Sequence, residues 1–296
     1  MRGYAGIAVL WPLCLFGYHA LHSRRKLLKA GLALGAASLG LYTWRIEPHW
    51  LEIVQRPLPI ARLPDSLAGK RLVQISDLHI GPKVDDDYLI NTFERVRRMA
   101  PEIVVYTGDF ISRKDEVDDQ AKRVFSHCAL GSLGTFGVLG NHDYGLDFHN
   151  QNVANEVAAL ATDSGITLLR NQVTEVAGLQ VCGMEDLWGG NFDMAGLRLL
   201  RPDKPSLVLS HNPDSADRPG WDDFGGWILC GHTHGGQCKP PFLPPPLLPV
   251  NNRRYTAGVF DLDGGRKLYI NRGVGYLFRV RFNVRPEVTV FEMVAG

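Results

Sequence analysis

Five short segments place aspartate, asparagine or histidine directly behind a run of apolar residues: Asp77-Leu78-His79, Gly108-Asp109, Gly140-Asn141-His142-Asp143, His211-Asn212-Pro213 and Gly231-His232-Thr233-His234. Carboxylate and amide oxygens together with imidazole nitrogens are donors for hard and borderline cations, and a mixed Asp/Asn/His set suits Mn, Fe, Zn or Co. A carboxylate between two cations can bridge them and screen their repulsion. Two metals about 3.5–4 Å apart can hold a phosphate, generate a hydroxide nucleophile and stabilise an in-line displacement. No cysteine falls in these segments, which argues against a purely structural zinc site.

Each segment also has a plainer reading. A D-x-H or a Gly-Asp pair on its own is more often a turn or a helix cap, and an isolated histidine such as His211 is more often a core or surface residue. It is all five in this order that single out one site. Five of the ten histidines lie in these segments; His19, His22, His49, His127 and His149 read as bystanders.

The elements that must position these residues are implied by the runs ahead of them. Leu72–Ser76, Glu102–Thr107, Thr135–Leu139, Leu207–Ser210 and Trp227–Cys230 are short, apolar and bounded by turn residues, as buried strands are. Helical stretches are expected at Asp87–Met99, Glu116–Cys128 and Asn152–Asp163. Strands alternating with helices imply α/β layering. In open α/β sheets function gathers at the carboxyl ends of the strands, and here each of those ends carries a candidate ligand.

In these motifs the chain resembles the calcineurin-like metallophosphoesterases, with D-x-H, G-D, G-N-H-D, H and G-H-x-H in order from residue 77 to 234. Leu67–Arg71, Tyr269–Gly275 and Arg285–Thr289 extend the resemblance to the membrane-associated or twin-arginine-exported phosphodiesterase subfamily, which is close to UDP-2,3-diacylglucosamine pyrophosphatase-type enzymes. The resemblance implies a four-layer fold, a central β-sandwich flanked by helices, completed by C-terminal strands near Arg254–Phe260, Lys267–Asn271 and Glu287–Phe291. It implies one metal on Asp77, His79, Asp109 and His234 and a second on Asp109, Asn141, His211 and His232. His142 would be general acid or charge stabiliser, oriented by Asp143. Activity would be two-metal-dependent hydrolysis of a phosphodiester or pyrophosphate, with Mn, Zn, Fe or Co as cofactor.

The N-terminus reads as an appendage. Tyr4–Ala20 is an uncharged, largely apolar stretch of 17 residues, followed by His22–Lys26, Lys29 and a second apolar run, Ala30–Trp44. Each run is at or below the length that crosses a bilayer. Ser23–Lys29 resembles a twin-arginine export signal with Leu27 where Phe is commonest. Residues 1–44 are thus expected to be a signal or anchor, 45–69 an extended lead-in with an edge strand near Leu51–Gln55, and 70–296 the catalytic domain. A peripheral amphipathic segment is the alternative. The positive-inside rule puts the chain after Trp44 on the periplasmic face of a bacterial inner membrane; the cytoplasmic face is the alternative, suited to nucleotide-linked lipid precursors.

The proline-dense segment Lys239–Pro249 comes soon after the last ligands, so it is expected near the site mouth. There it would grip an acyl chain, touch the bilayer or pack on its own domain. Arg272, Arg279 and Arg281 are candidates either to meet a substrate phosphate or to be solvated strand charges. Five cysteines without a C-x-x-C read as buried free thiols. Net charge is +1, with 32 basic against 31 acidic residues, so no stable nucleic-acid partner is expected and a nuclease is disfavoured. A non-catalytic binding module on the same fold is the other alternative; the unbroken ligand set speaks against it.

Overall fold

The computed structural model describes residues 11–112, 118–221 and 224–296, with side chains from Arg24 onward. Two six-stranded sheets face each other. The first is built on three parallel strands, β2 (Arg71–Ile75), β3 (Ile103–Thr107) and β4 (Gly134–Val138), where apolar runs were expected. The short β5 (Thr167–Leu168) closes one edge. On the other side β12 (Glu287–Ala295) runs antiparallel to β2, and β1 (Glu52–Ile60) pairs parallel to β12 along nine residues.

The edge strand expected near Leu51–Gln55 is thus present as β1 and runs on to Ile60. As an edge strand, β1 tolerates Pro57 and Pro59, which have no N–H to give to a ladder.

The second sheet has a parallel centre, β7 (Leu179–Gly183), β8 (Ser206–Leu209), β9 (Trp227–Cys230) and β11 (Lys267–Ile270). Its edges are the antiparallel β6 (Gln172–Val176) and β10 (Gly258–Asp261). The β6–β7 hairpin was not expected from the sequence.

Side chains from both inner faces, among them Leu72, Val105, Phe136, Val181, Leu207 and Leu229, form the core between the sheets. The alternate residues of the same strands, Val73, Val104 and Tyr106, are buried on the outer face of the first sheet. Burial on both faces is why these strands read as unbroken apolar runs.

That outer face is covered by α2 (Asp86–Arg98), α3 (Asp119–Phe125) and α4 (Gln151–Asp163). Leu89, Phe93 and Val96 bring α2 onto the sheet, and Asp85, Asp118 and Asn150 cap the three helices by accepting from first-turn amides. The expected start of α3 at Glu116 lies outside the described residues.

The four-layer expectation holds on this side only. Over the second sheet, short 3₁₀ turns at Met194–Leu199 and Pro213–Asp217, with Trp221 and Phe224, take the place of helices. Prolines 202, 205, 213 and 219 and glycines 189, 190 and 220 interrupt that stretch too often for an α-helix to propagate.

Ahead of the sandwich, α1 (Trp11–Leu41) is one 31-residue helix. It joins the two apolar runs expected as separate pieces and carries Arg24, Arg25, Lys26 and Lys29. Its side chains from Arg24 to Leu41 are exposed. Among the described residues no helix is long and apolar enough to cross a membrane; the start of the first run, before Trp11, lies outside them.

Candidate functional site

Asp77 and His79 follow β2, Asp109 follows β3, and Asn141–Tyr144 form a 3₁₀ turn just after β4. His211 follows β8, and His232 and His234 follow β9. Each set therefore leaves the carboxyl ends of adjacent parallel strands, one set from each sheet.

The backbone turns sharply where it releases these side chains. Asp77, His79, Asp109, His232 and His234 all have positive φ, between 49° and 71°. For non-glycine residues this conformation costs about 1–3 kcal/mol each and persists only where the surrounding structure enforces it. Close approach explains two of the glycines. A Cβ on Gly140 would stand 2.3 Å from Asp109 Oδ1, and one on Gly231 1.9 Å from Ser76 Oγ and 2.3 Å from Asp77 Oδ2.

Donor atoms of Asp77, His79 and His234 lie within 4.8 Å of one another, as do those of Asp109, His211 and His232. A third such group, His79, Asp109 and His142, links the two. Asp109 Oδ2 is 3.6 Å from His79 Nε2 and 3.1 Å from His211 Nε2. All of these side chains are buried, and so is Asn141, whose Oδ1 has no hydrogen-bond partner.

Outer contacts fix which ring nitrogen each of two histidines presents. His211 donates from Nδ1 to the Thr107 carbonyl at 2.7 Å, leaving Nε2 turned to Asp109. His232 donates from Nε2 to the Pro249 carbonyl at 2.7 Å, leaving Nδ1 3.2 Å from His211 Nε2. Such contacts orient ligand rings and set their tautomers. On the other side, the Nε2 atoms of His79 and His234 are 2.9 Å apart, and His234 Nε2 is 3.4 Å from Asp77 Oδ1.

Charge is distributed unevenly through this buried cluster. Burial pushes His79 and His232 down to about 3 and lowers His234 as well, so these imidazoles are neutral donors. For His211 burial acts the same way but the Asp109, Asp77 and Asp186 carboxylates overcome it, raising its pKa to about 10. Burial, with the neighbouring Asp109 charge and against that of His211, lifts Asp77 to about 7. Asp109 itself is held well below the usual carboxylate range, its burial outweighed by His211 and His142.

Asp143 is fully buried beside His142 in this turn. Its oxygens accept from the backbone of Ile111 at 3.0 Å and Gly140 at 2.9 Å, so it anchors the turn that carries Asn141 and His142. The His142 amide donates to Asp109 Oδ1 at 2.9 Å, and its ring meets those of His79 and Phe148 edge-on.

Two of the three C-terminal arginines also differ from expectation. Arg281 is fully buried and Arg272 is ion-paired to Glu287 and, at 2.9 Å, to Glu52, so neither is a solvated charge nor free for a phosphate. Arg279 lies over Trp44, 5.6 Å from the ring centre. The proline-rich segment does border the site, through the Pro249 carbonyl on His232. Cys128, Cys182 and Cys230 are buried free thiols, as expected; Cys238 is half-buried.

Sequence reasoning missed Trp188, whose ring meets His232 edge-on at 4.7 Å, and Asp186, whose Oδ2 accepts from the Trp188 and Gly189 amides. Both lie just after β7, a strand the sequence did not reveal; the run Leu179–Gly183 ending on Glu185-Asp186 was the available signal.

A profile of calcineurin-like phosphoesterases matches residues 70–236. The phosphodiesterase YaeI of Escherichia coli (strain K12) is 34% identical over 281 residues, covering 92% of this chain and 99% of that protein. An uncharacterized metallophosphoesterase of Bacillus subtilis (strain 168), YkuE, is 30% identical, with 92% and 97% covered. The UDP-2,3-diacylglucosamine pyrophosphatase LpxG of Chlamydia trachomatis is 27% identical, with 86% and 93% covered.

Proposed function

This chain belongs to the calcineurin-like phosphoesterase family, a family of metal-using hydrolases, and on that premise we propose that it hydrolyses phosphodiester or pyrophosphate bonds at a two-metal centre. The observation that carries the reading is the position of Asp109, one oxygen of which faces His79 on one side and His211 on the other. Asp77, His79, Asp109 and His234 would hold one ion, and Asp109, Asn141, His211 and His232 the other.

The residues fit such a role. Asn141 brings a buried oxygen with no partner, and His211 and His232 present ring nitrogens whose tautomers are set from outside. Two divalent ions, when bound, supply Lewis acidity and a nucleophile at neutral pH. Beside them, His142 would give a proton to the leaving-group oxygen, its backbone fixed on Asp109 and its turn on Asp143. Trp188 and Phe148 stand edge-on against the rings of His232 and His142 at the rim of the site.

For the substrate, the name of the chlamydial relative favours a diester or pyrophosphate joined to a nucleotide or a lipid. For placement, the basic cluster within α1 favours an N-terminus held at the inner membrane with the sandwich on the periplasmic side. Replacing Arg24 and Arg25 with lysine should then keep the domain from periplasmic protease; unchanged accessibility would end the twin-arginine route.

Turnover of bis-p-nitrophenyl phosphate tests the activity. It should appear with Mn²⁺, stop on chelation and return on re-addition. Absence of turnover in protein shown to hold two equivalents of metal would instead support a non-catalytic binding module.

A further inference from the structure

Beside the site, three chain segments meet in one surface: 42–46, 237–254 and 277–285. The Arg281 amide donates to the Thr43 carbonyl at 3.0 Å, and the Lys239 amide to the Phe282 carbonyl at 2.9 Å. Gln237 donates from its side chain to the carbonyls of Phe278 and Val280, both at 3.1 Å. The surface joins the site through Arg281, which touches His234, and through Pro249, which touches His232.

Its side chains are of two kinds. Trp44, Ile46, Phe242, Leu243, Leu247 and Phe278 are exposed, Phe242 completely. Among them stand Arg45, Lys239, Arg253 and Arg279, with Lys83 over the Phe278 ring at 5.2 Å. The three segments contain no aspartate or glutamate, although the whole chain carries 31 acidic residues against 32 basic ones. The nearest carboxylate in sequence, Glu47, is buried and accepts from the Val284 amide. At the far end of the face buried Asp214 accepts from the Asn251 and Asn252 amides and exposed Asp217 from the Asn252 side chain, so the positive excess belongs to 42–46, 237–249 and 277–285.

Apolar side chains interleaved with long cationic ones, aromatic rings lying under the cations, match the boundary between acyl chains and anionic headgroups. The backbone suits the same place. Six prolines between 240 and 249 have no N–H to leave unsatisfied when water is withdrawn, and Leu243 gives its own to Pro240 at 3.2 Å. We propose that this face docks the catalytic domain on an anionic lipid bilayer, independently of α1, and so presents the mouth of the site to the membrane surface.

Binding is read without turnover, so this proposal and the hydrolase reading can fail separately. Full-length protein is floated with phosphatidylcholine vesicles containing or lacking phosphatidylglycerol. It should bind the anionic vesicles, and their presence should slow amide exchange in 242–248 and 278–282. A variant with Phe242, Leu243, Leu247 and Phe278 changed to Ser, which leaves α1 and the core intact, should melt with the parent yet bind at least about tenfold more weakly. Lys83→Glu with Lys239→Glu should remove the preference for phosphatidylglycerol. Unchanged binding in the Ser variant, or protection confined to α1, would overturn the proposal. So would a parent that is dimeric through this face, with the Ser variant monomeric and still bound to vesicles.

Discussion

Arg281 is wholly buried and brings one guanidinium nitrogen to 3.3 Å from Nδ1 of His234, across 47 residues of sequence. The same nitrogen donates to the carbonyls of Arg272, Gly273 and Gly275 at 3.0, 3.1 and 2.6 Å. That loop in turn lies on the first candidate ligand segment, with the Gly275 amide donating to the Asp77 carbonyl at 2.7 Å. One side chain therefore ties a candidate ligand of the second sheet to a candidate ligand segment of the first.

Arg281→Met should leave several buried carbonyls without donors and cost at least about 3 kcal/mol, since each orphaned acceptor costs about 1–3. Metal content should fall along with the melting temperature. Arg281→Lys should recover little, because an ammonium cannot reproduce the planar fork. A variant that melts and loads like the parent would show that the contact is incidental.

Asp109→Asn should reduce metal content at both positions together, whereas His211→Ala should mainly empty one. Elemental analysis of the two purified variants decides. Full two-metal content in Asp109→Asn would remove Asp109 from the bridging position.

His142→Ala should retain metal yet lose about 10²–10⁴ in rate, the range for a general acid. The loss should shrink when p-nitrophenolate leaves, because that group needs no proton. An equal loss for good and poor leaving groups would restrict His142 to stabilising charge.

Metal uptake should weaken as pH falls. Ligands bind deprotonated, so each proton displaced costs about tenfold in affinity per pH unit. In the metal-free chain His211 keeps its proton up to about 10 and Asp77 takes one below about 7. For loading of both ions together, the dependence of log affinity on pH should therefore steepen from about one proton at pH 8 to about two at pH 6. Mn²⁺ titrations at a series of pH values measure this, and a constant slope through pH 7 would contradict it.

The sequence alone determined the strand ends and what stands on them. Runs such as Leu72–Ser76 and Trp227–Cys230 are buried on both faces, so their apolar character is continuous and their termini are sharp. Metal-binding chemistry uses few residue types, so Asp77, His79, Asp109, Asn141, His211, His232 and His234 stood out by type and position. The hairpin β6–β7 was harder to see because β6 is half-exposed and polar, with Thr174 and Glu175 breaking its pattern.

Only the tertiary structure decided the rest, because those roles depend on partners far away in the chain. An arginine written between Val280 and Phe282 looks like any surface arginine until the fold closes carbonyls around it. An aspartate next to His142 gives no sign in the sequence that its two oxygens will hold the backbone amides of Ile111 and Gly140. Which nitrogen His232 presents depends on a carbonyl 17 residues later. The basic, apolar face exists only where three segments far apart in the chain are brought side by side. Residue type is local, whereas burial, tautomer and the sign of a surface are set by long-range packing.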